Sequence, residues 1–194
     1  MRTLLPESTM SVFFAVLALL CWAATLFLVV GAVLRRSRRG RPGRLEPLRD
    51  DIGRMALPMA WIVAVVTMLG SLYYSRVLEF VPCELCWYQR ICAYPFAVIL
   101  GIAAWRRDAA IRVYAIPVFA IGIVISTYHT WIQAYPPENG TSFCTAAASC
   151  TERYVWEFHF VSLPFMALSA FVVMTALLLV ARPARRRSSP EEIQ

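Results

Sequence analysis

Read for apolar and polar positions alone, the chain divides into five long apolar stretches separated by polar segments. Ser11 to Leu34 carries no charge over 24 residues. As a helix rising about 1.5 Å per residue, it is long enough to cross a hydrocarbon layer about 30 Å thick. Met55 to Ser75 is the second stretch, Val113 to Gln133 the fourth and Val161 to Ala181 the fifth. The third, Ile91 to Trp105, reaches spanning length when Trp87 to Arg90 forms its first turn. Inside lipid a helix satisfies every backbone polar group by itself, so the pattern predicts five transmembrane helices. The first apolar run is long, has little positive charge before it and a dense Arg block after it. Those features predict a retained membrane anchor rather than a cleaved leader.

Composition supports that division: 59% of the residues are hydrophobic, more than the core of a soluble domain of this length absorbs. The net charge is +7 and every basic residue is Arg. The Arg cluster lies between apolar segments rather than on one continuous basic face, which argues against a nucleic-acid partner and for membrane lipid. Fifteen of the nineteen Arg fall on one side of a five-span topology, among them Arg35 to Arg54, Arg106, Arg107, Arg112 and Arg182 to Arg187. The other side has Arg2, Arg76 and Arg153, with Arg90 at a span end. The positive-inside rule then predicts an external amino terminus and a cytoplasmic carboxyl terminus. The chain divides into an N-terminal helix (1–34), an Arg-rich cytoplasmic linker (35–54), a four-helix domain (55–181) and a cytoplasmic tail (182–194), disordered over Ser188 to Gln194.

The six cysteines change the picture from anchor to chemistry. Cys21 and Cys92 sit inside apolar runs and are expected to be packing residues of low reactivity. Cys83 and Cys86 fall in the second-to-third connection, Cys144 and Cys150 in the fourth-to-fifth, both external. The outside is the oxidising side, which favours redox pairs over metal ligands, with structural disulfides as the bland reading. A Cys-x-x-Cys ring is too tight to staple distant segments and is usually a working couple. Cys86 is expected in the first turn of the third helix, where the helix dipole favours an anion, with Arg90 four residues on along the same face. Both effects predict Cys86 as the thiolate. An Arg this close to the hydrocarbon is costly, and it either snorkels to the lipid phosphates or serves a function. Tyr88, Tyr128, Trp131 and Tyr135 fit an interfacial aromatic belt, and His129 an interfacial hydrogen-bonding residue.

At PCELCWYQR the chain resembles the DsbB family of quinone-linked disulfide oxidoreductases, including its BdbC-type Gram-positive members, through Cys83, Leu85, Cys86, Tyr88 and Arg90. YHTWIQAYPP, Tyr128 to Pro137, resembles the family's helix end and loop start and contains His129. Cys150, Glu152, Arg153, Trp156, Glu157, Phe158 and Pro164 resemble the segment leading into its last helix. The resemblance implies an all-α membrane protein: a four-helix bundle, here with one extra N-terminal transmembrane helix, in the bacterial cytoplasmic membrane. It implies disulfides Cys83–Cys86 and Cys144–Cys150, and a relay between them. Cys144–Cys150 would take electrons from an extracytoplasmic thioredoxin-like thiol oxidase, Cys144 being the sulfur attacked, and would then reduce Cys83–Cys86. Cys86 would face the cofactor, a membrane quinone (menaquinone or ubiquinone), with Arg90 and His129 near its ring. The family pattern has no counterpart for Ser11 to Leu34, and the loop pair is closer in sequence than in enterobacterial members.

Two other classes fit the same totals. A vitamin K epoxide reductase-like enzyme also joins a helical bundle, external cysteine pairs and a quinone, but its loop pair precedes the helix-associated pair, the reverse of the order here. A structural or zinc-binding membrane protein would use the four external thiols as staples or as one tetrahedral site.

Overall fold

The computed structural model describes residues 7–37, 46–137, 144 and 149–181. They form α1 (Glu7–Ser37), α2 (Glu46–Arg76), α3 (Glu84–Arg106), a 3₁₀ turn (Ala109–Ile111), α4 (Arg112–Ala134) and α5 (Leu163–Val180). All five α-helices are long and apolar enough to cross a membrane. Among the described residues the only strand-like feature is an isolated bridge between Glu157 and Val161. The expected all-α architecture is therefore the observed one.

Several boundaries move. The second helix begins at Glu46, nine residues ahead of Met55 and inside the segment read as linker. Charge ends an apolar pattern without ending a helix: the Arg54 guanidinium pairs with Asp51 at 3.0 Å, one turn back. At its other end the segment read as linker is entered by α1, which runs on to Ser37; residues 38–45 and the tail from residue 182 lie outside the described residues. The fifth helix begins at Leu163 rather than Val161. Before it the chain makes a tight turn in which Glu157 and Val161 exchange backbone hydrogen bonds of 2.9 and 2.8 Å. Phe158 and His159 occupy the left-handed region there, at φ 50° and 66°. Pro164 in the first turn costs α5 no hydrogen bond, because that amide would be unpaired in any case.

The core lies among α2, α3, α4 and α5. With lipid outside, hydrophobicity gives no preference for helix–helix contact, so close approach decides packing. Ala56, Ala60 and Ala64 recur every fourth residue along α2 and are fully buried. On α4, a Cβ at Gly122 would come within 2.7 Å of the Phe171 ring, so glycine is what lets α4 and α5 meet. Phe96, Phe119 and Phe171 form an aromatic chain across the centre, with ring centroids 4.6 and 5.9 Å apart. The extra helix α1 docks on α5, where the Trp22 indole donates to Ser169 Oγ at 2.9 Å and its ring stacks on Phe165.

Candidate functional site

Cys83 is the N-cap of α3, with extended backbone (φ −73°, ψ 173°) and no side-chain capping bond. Its sulfur is therefore not spent on the helix end and points at other groups. One turn on, Cys86 Sγ lies 3.1 Å from Cys83 Sγ, and the two are not covalently joined. Cys144 and Cys150 are joined in a disulfide. That bond removes two of the four thiols from the tetrahedral zinc site entertained above. Cys83, Cys86 and His129 do lie with their ligand atoms within 4.8 Å of one another.

His129 is what ties the two pairs together. It is buried, near the C-terminal end of α4. The Gln89 side-chain amide donates to its Nδ1 at 3.2 Å. With Nδ1 accepting, the ring proton sits on Nε2, which lies 3.2 Å from the Cys150 carbonyl oxygen and 3.7 Å from Cys83 Sγ. One N–H thus faces both cysteine pairs. The loop is fixed onto α4 by further bonds: Gln133 Nε2 donates to Glu152 O at 2.8 Å, and Arg153 donates from Nε to Gln133 O at 2.7 Å. Arg153 also covers the Trp156 ring, 4.2 Å from its centroid. Cys150 ends up 1% exposed, packed in one small apolar cluster with Cys83, Leu85 and Ile132, whereas Cys144 is half-buried. The short loop does not hold the pairs apart; it lays one against the other.

The charge falls on a different sulfur from the one expected. The bond to the Cys86 thiol acts most strongly on Cys83; burial opposes it, and His129 adds to it, so that the Cys83 pKa is lowered to about 4. Cys86 was the thiolate of the sequence reading because Arg90 follows it by one turn. Arg90 instead turns toward α2, donating from Nε to Ser71 Oγ at 3.0 Å and from Nη2 to the Ser71 carbonyl at 3.2 Å. It is half-buried and lies over the Trp87 and Tyr94 rings, 5.3 and 5.9 Å from their centroids. Tyr94 donates to the same Ser71 Oγ at 3.1 Å. This is a held guanidinium, not one reaching for lipid phosphate.

Beside Cys86 lies a cavity of 290 Å³, lined on its polar part by Cys86, Gln89, Arg90 and the hydroxyl-bearing Thr67, Ser71 and Ser75, and elsewhere mainly by apolar and aromatic side chains. Cavities of this size, apolar with a few convergent polar groups, are the usual form of a small-molecule site. Gln89 and Ser71 escaped the sequence reading. Gln89 had a signal, being the one neutral amide in the third span, three residues from Cys86 on the same face. Ser71 had none beyond being a hydroxyl in an apolar helix. Tyr88, Tyr128, Trp131 and Tyr135 are all exposed, as a belt requires. Cys92 is buried in the core, and Cys21 packs against its edge.

A family model described as "Disulfide bond formation protein DsbB" matches residues 53–181. The chain belongs to the DsbB family. Disulfide bond formation protein C of Bacillus subtilis (strain 168) is 44% identical over 115 residues, 59% of this chain and 83% of that one. Probable disulfide formation protein C 2 of Bacillus anthracis is 37% identical over 137 residues, 71% of this chain and 97% of that one. A probable disulfide formation protein of Coxiella burnetii (strain Dugway 5J108-111) is 38% identical over 127 residues, 65% and 86% of the two chains. No solved structure matches. The protein is thus a multi-pass, all-helical membrane thiol–disulfide oxidoreductase, with a DsbB-type bundle in α2 to α5 and α1 outside the matched region.

Proposed function

We propose that the protein re-oxidises an extracytoplasmic thioredoxin-like thiol oxidase and passes the electrons through Cys144–Cys150 and then Cys83–Cys86 to a membrane quinone. The observation that carries this reading is the position of the Cys-x-x-Cys pair between two surroundings. Cys83 meets His129 and, through it, the loop pair; Cys86 lines the cavity that Arg90 overlooks.

The chemistry follows from exposure and charge. Cys144 is the more accessible loop sulfur, so a partner thiolate attacks it and displaces the buried Cys150 as the leaving thiolate. The partner's second thiol then breaks the mixed disulfide and leaves with its own disulfide, having deposited two electrons and two protons as the Cys144/Cys150 dithiol. That dithiol reduces the Cys83–Cys86 disulfide by a second exchange and closes its own again. After that exchange the loop pair is again a disulfide and Cys83 and Cys86 are a dithiol. A thiolate held at Cys83 by two donors stabilises the reduced form, which makes the Cys83–Cys86 disulfide the more oxidising pair and gives the relay its direction.

The cavity fits a quinone in donor set and shape of polarity: a guanidinium fixed by Ser71 suits a ring carbonyl, and the apolar remainder suits an isoprenoid chain. A quinone bound there supplies a two-electron, two-proton acceptor within reach of Cys86, and Arg90 and Ser71 are the residues that would hold it, with His129 acting from the Cys83 side. The cysteine loops are external, the amino terminus outside and the carboxyl terminus in the cytoplasm of a bacterial cell, on the weight of the Arg distribution. The test is quinone reduction, followed by absorbance, when purified protein is offered a reduced thioredoxin-like oxidase. Oxidation of the partner beyond one equivalent with no quinone reduced would sink the reading.

A further inference from the structure

The helix that the family match leaves out is built into the cavity. Phe14, Leu17, Ala18 and Cys21 of α1 line it together with Cys86, Arg90 and residues of α2 and α5. Their spacing, i, i+3, i+4, i+7, is one continuous helical face. That face is held in place at two points. Near its outer end the Phe14 ring fills the notch at Gly70, where a Cβ would stand 2.9 Å from the ring, and it packs on Tyr74 at 5.7 Å between centroids. Two turns further along, Trp22 is bonded to Ser169 of α5. Most other α1 side chains, including Leu20, Leu26 and Val33, are exposed and face lipid. Thus α1 contributes little to the bundle core and one face to the cavity.

We propose that α1 is a wall of the acceptor site, against which the apolar chain of the quinone runs, so that Phe14, Leu17, Ala18 and Cys21 select for the chain. This rests on the reading that Cys86 faces a quinone. The occupant is inferred from the cavity's two-part character: one guanidinium-bearing polar patch from α3 and α2, and an apolar lining to which α1 contributes a continuous face. An amphiphile with a small polar ring and a long hydrocarbon tail matches both. A wholly apolar lipid tail would leave Arg90 and Ser71 without use, and a small polar solute would leave the α1 face without use.

The test uses the full chain in lipid nanodiscs. A quinone bearing a photoreactive azide on its isoprenoid chain should label peptides within residues 7–37, and unmodified quinone should compete the label away. In parallel, Ala18→Trp, which places an indole on the cavity face, should raise the half-saturating concentration of long-chain quinone about tenfold, equivalent to about 1.4 kcal/mol. A tail-less quinone should be much less affected, and Leu20→Trp, on the lipid side, should behave as wild type. Competed label confined to α2–α5, or a folded Ala18→Trp protein with unaltered dependence on chain length, overturns the role of α1 and leaves the quinone reading standing. If wild type neither binds nor reduces any quinone, both fall together. Should Ala18→Trp fail to fold, the labelling of wild type decides alone.

Discussion

Cys83 faces hydrogen-bond donors and a covalently closed loop, whereas Cys86, one turn deeper, faces an apolar cavity with a single fixed cation. The difference arises from where α3 begins. Cys83 caps the helix and so points back toward the C-terminal end of α4 and the loop, while Cys86 lies within the first turn and points across to α2 and α5. Two chemically identical side chains three residues apart are thereby given two partners. A helix start is a simple way to do this, because the direction of a side chain changes most sharply between the cap and the first turn.

The most severe break of this comparison is to remove a sulfur. Replacing Cys83 or Cys86 by Ser should reduce quinone-dependent turnover to background, yet leave Cys144–Cys150 able to oxidise one equivalent of partner. Replacing Cys144 or Cys150 should abolish partner oxidation, yet leave Cys83–Cys86 able to form its disulfide when quinone is supplied. Trapping with a thiol-alkylating mass tag reads all four. Normal partner turnover by a loop mutant would show that the two sides are not in series.

Next in size is the donor set on Cys83. A pKa of about 4 means that the thiolate persists down to about pH 4. An ordinary thiol titrates near 8.5. Since the pKa is depressed in the folded dithiol form, the stabilisation it gives that form is fully present above the ordinary thiol pKa. It declines as pH falls and is gone below about 4. His129→Ala deletes one donor to a charged acceptor, worth about 1.5–3 kcal/mol or about one to two pKa units. Thiolate absorbance of the Cys86→Ala variant against pH, with and without His129→Ala, measures it; an unchanged midpoint would remove His129 from the Cys83 side. Gln89→Ala should shift the same midpoint in the same direction by less, because it acts by fixing the tautomer.

On the cavity side, Arg90→Met removes the charge and the bonds to Ser71 and should weaken quinone affinity about tenfold or more, on the scale of one charged hydrogen bond. Arg90→Lys keeps the charge without the planar fork and should fall between. Neither should move the Cys83 titration much, since the guanidinium is bonded to α2. A large shift of that titration in Arg90→Met would merge the two sides into one electrostatic unit.

What was legible beforehand follows the same division. The spans, the Cys-x-x-Cys pair and Arg90 stood out because charge and thiols are rare in an apolar helix, whereas His129, read as an interfacial hydrogen-bonding residue, is buried against Cys83. The thiolate assignment to Cys86 failed because the spacing from Arg90 shows neither that Cys86 bonds to Cys83 nor that His129, 46 residues away, meets Cys83 instead. The nearness of the two pairs was equally hidden. A six-residue separation says how large the loop ring is, and the Arg153 and Gln133 bonds say where it lies. The role of α1 was unreadable because its Phe14, Leu17, Ala18, Cys21 stripe is no more apolar than its lipid-facing side.

The smallest effect is expected at the third thiol of the same helix. Cys92 lies two residues past Arg90, but it turns into the core, 7% exposed, among Ala and Phe side chains, with neither the donors of Cys83 nor the cavity of Cys86. A buried thiol in such a place behaves as a small apolar group. Cys92→Ala should therefore leave turnover and the Cys83 titration unchanged and cost about 0.8 kcal/mol of stability, the value of roughly one buried methylene. Thermal denaturation in nanodiscs with parallel turnover assays measures both. A large loss of turnover at normal expression and unchanged melting would mean that a third sulfur takes part in the relay, and that facing a donor or a cavity is not what makes a cysteine of α3 reactive.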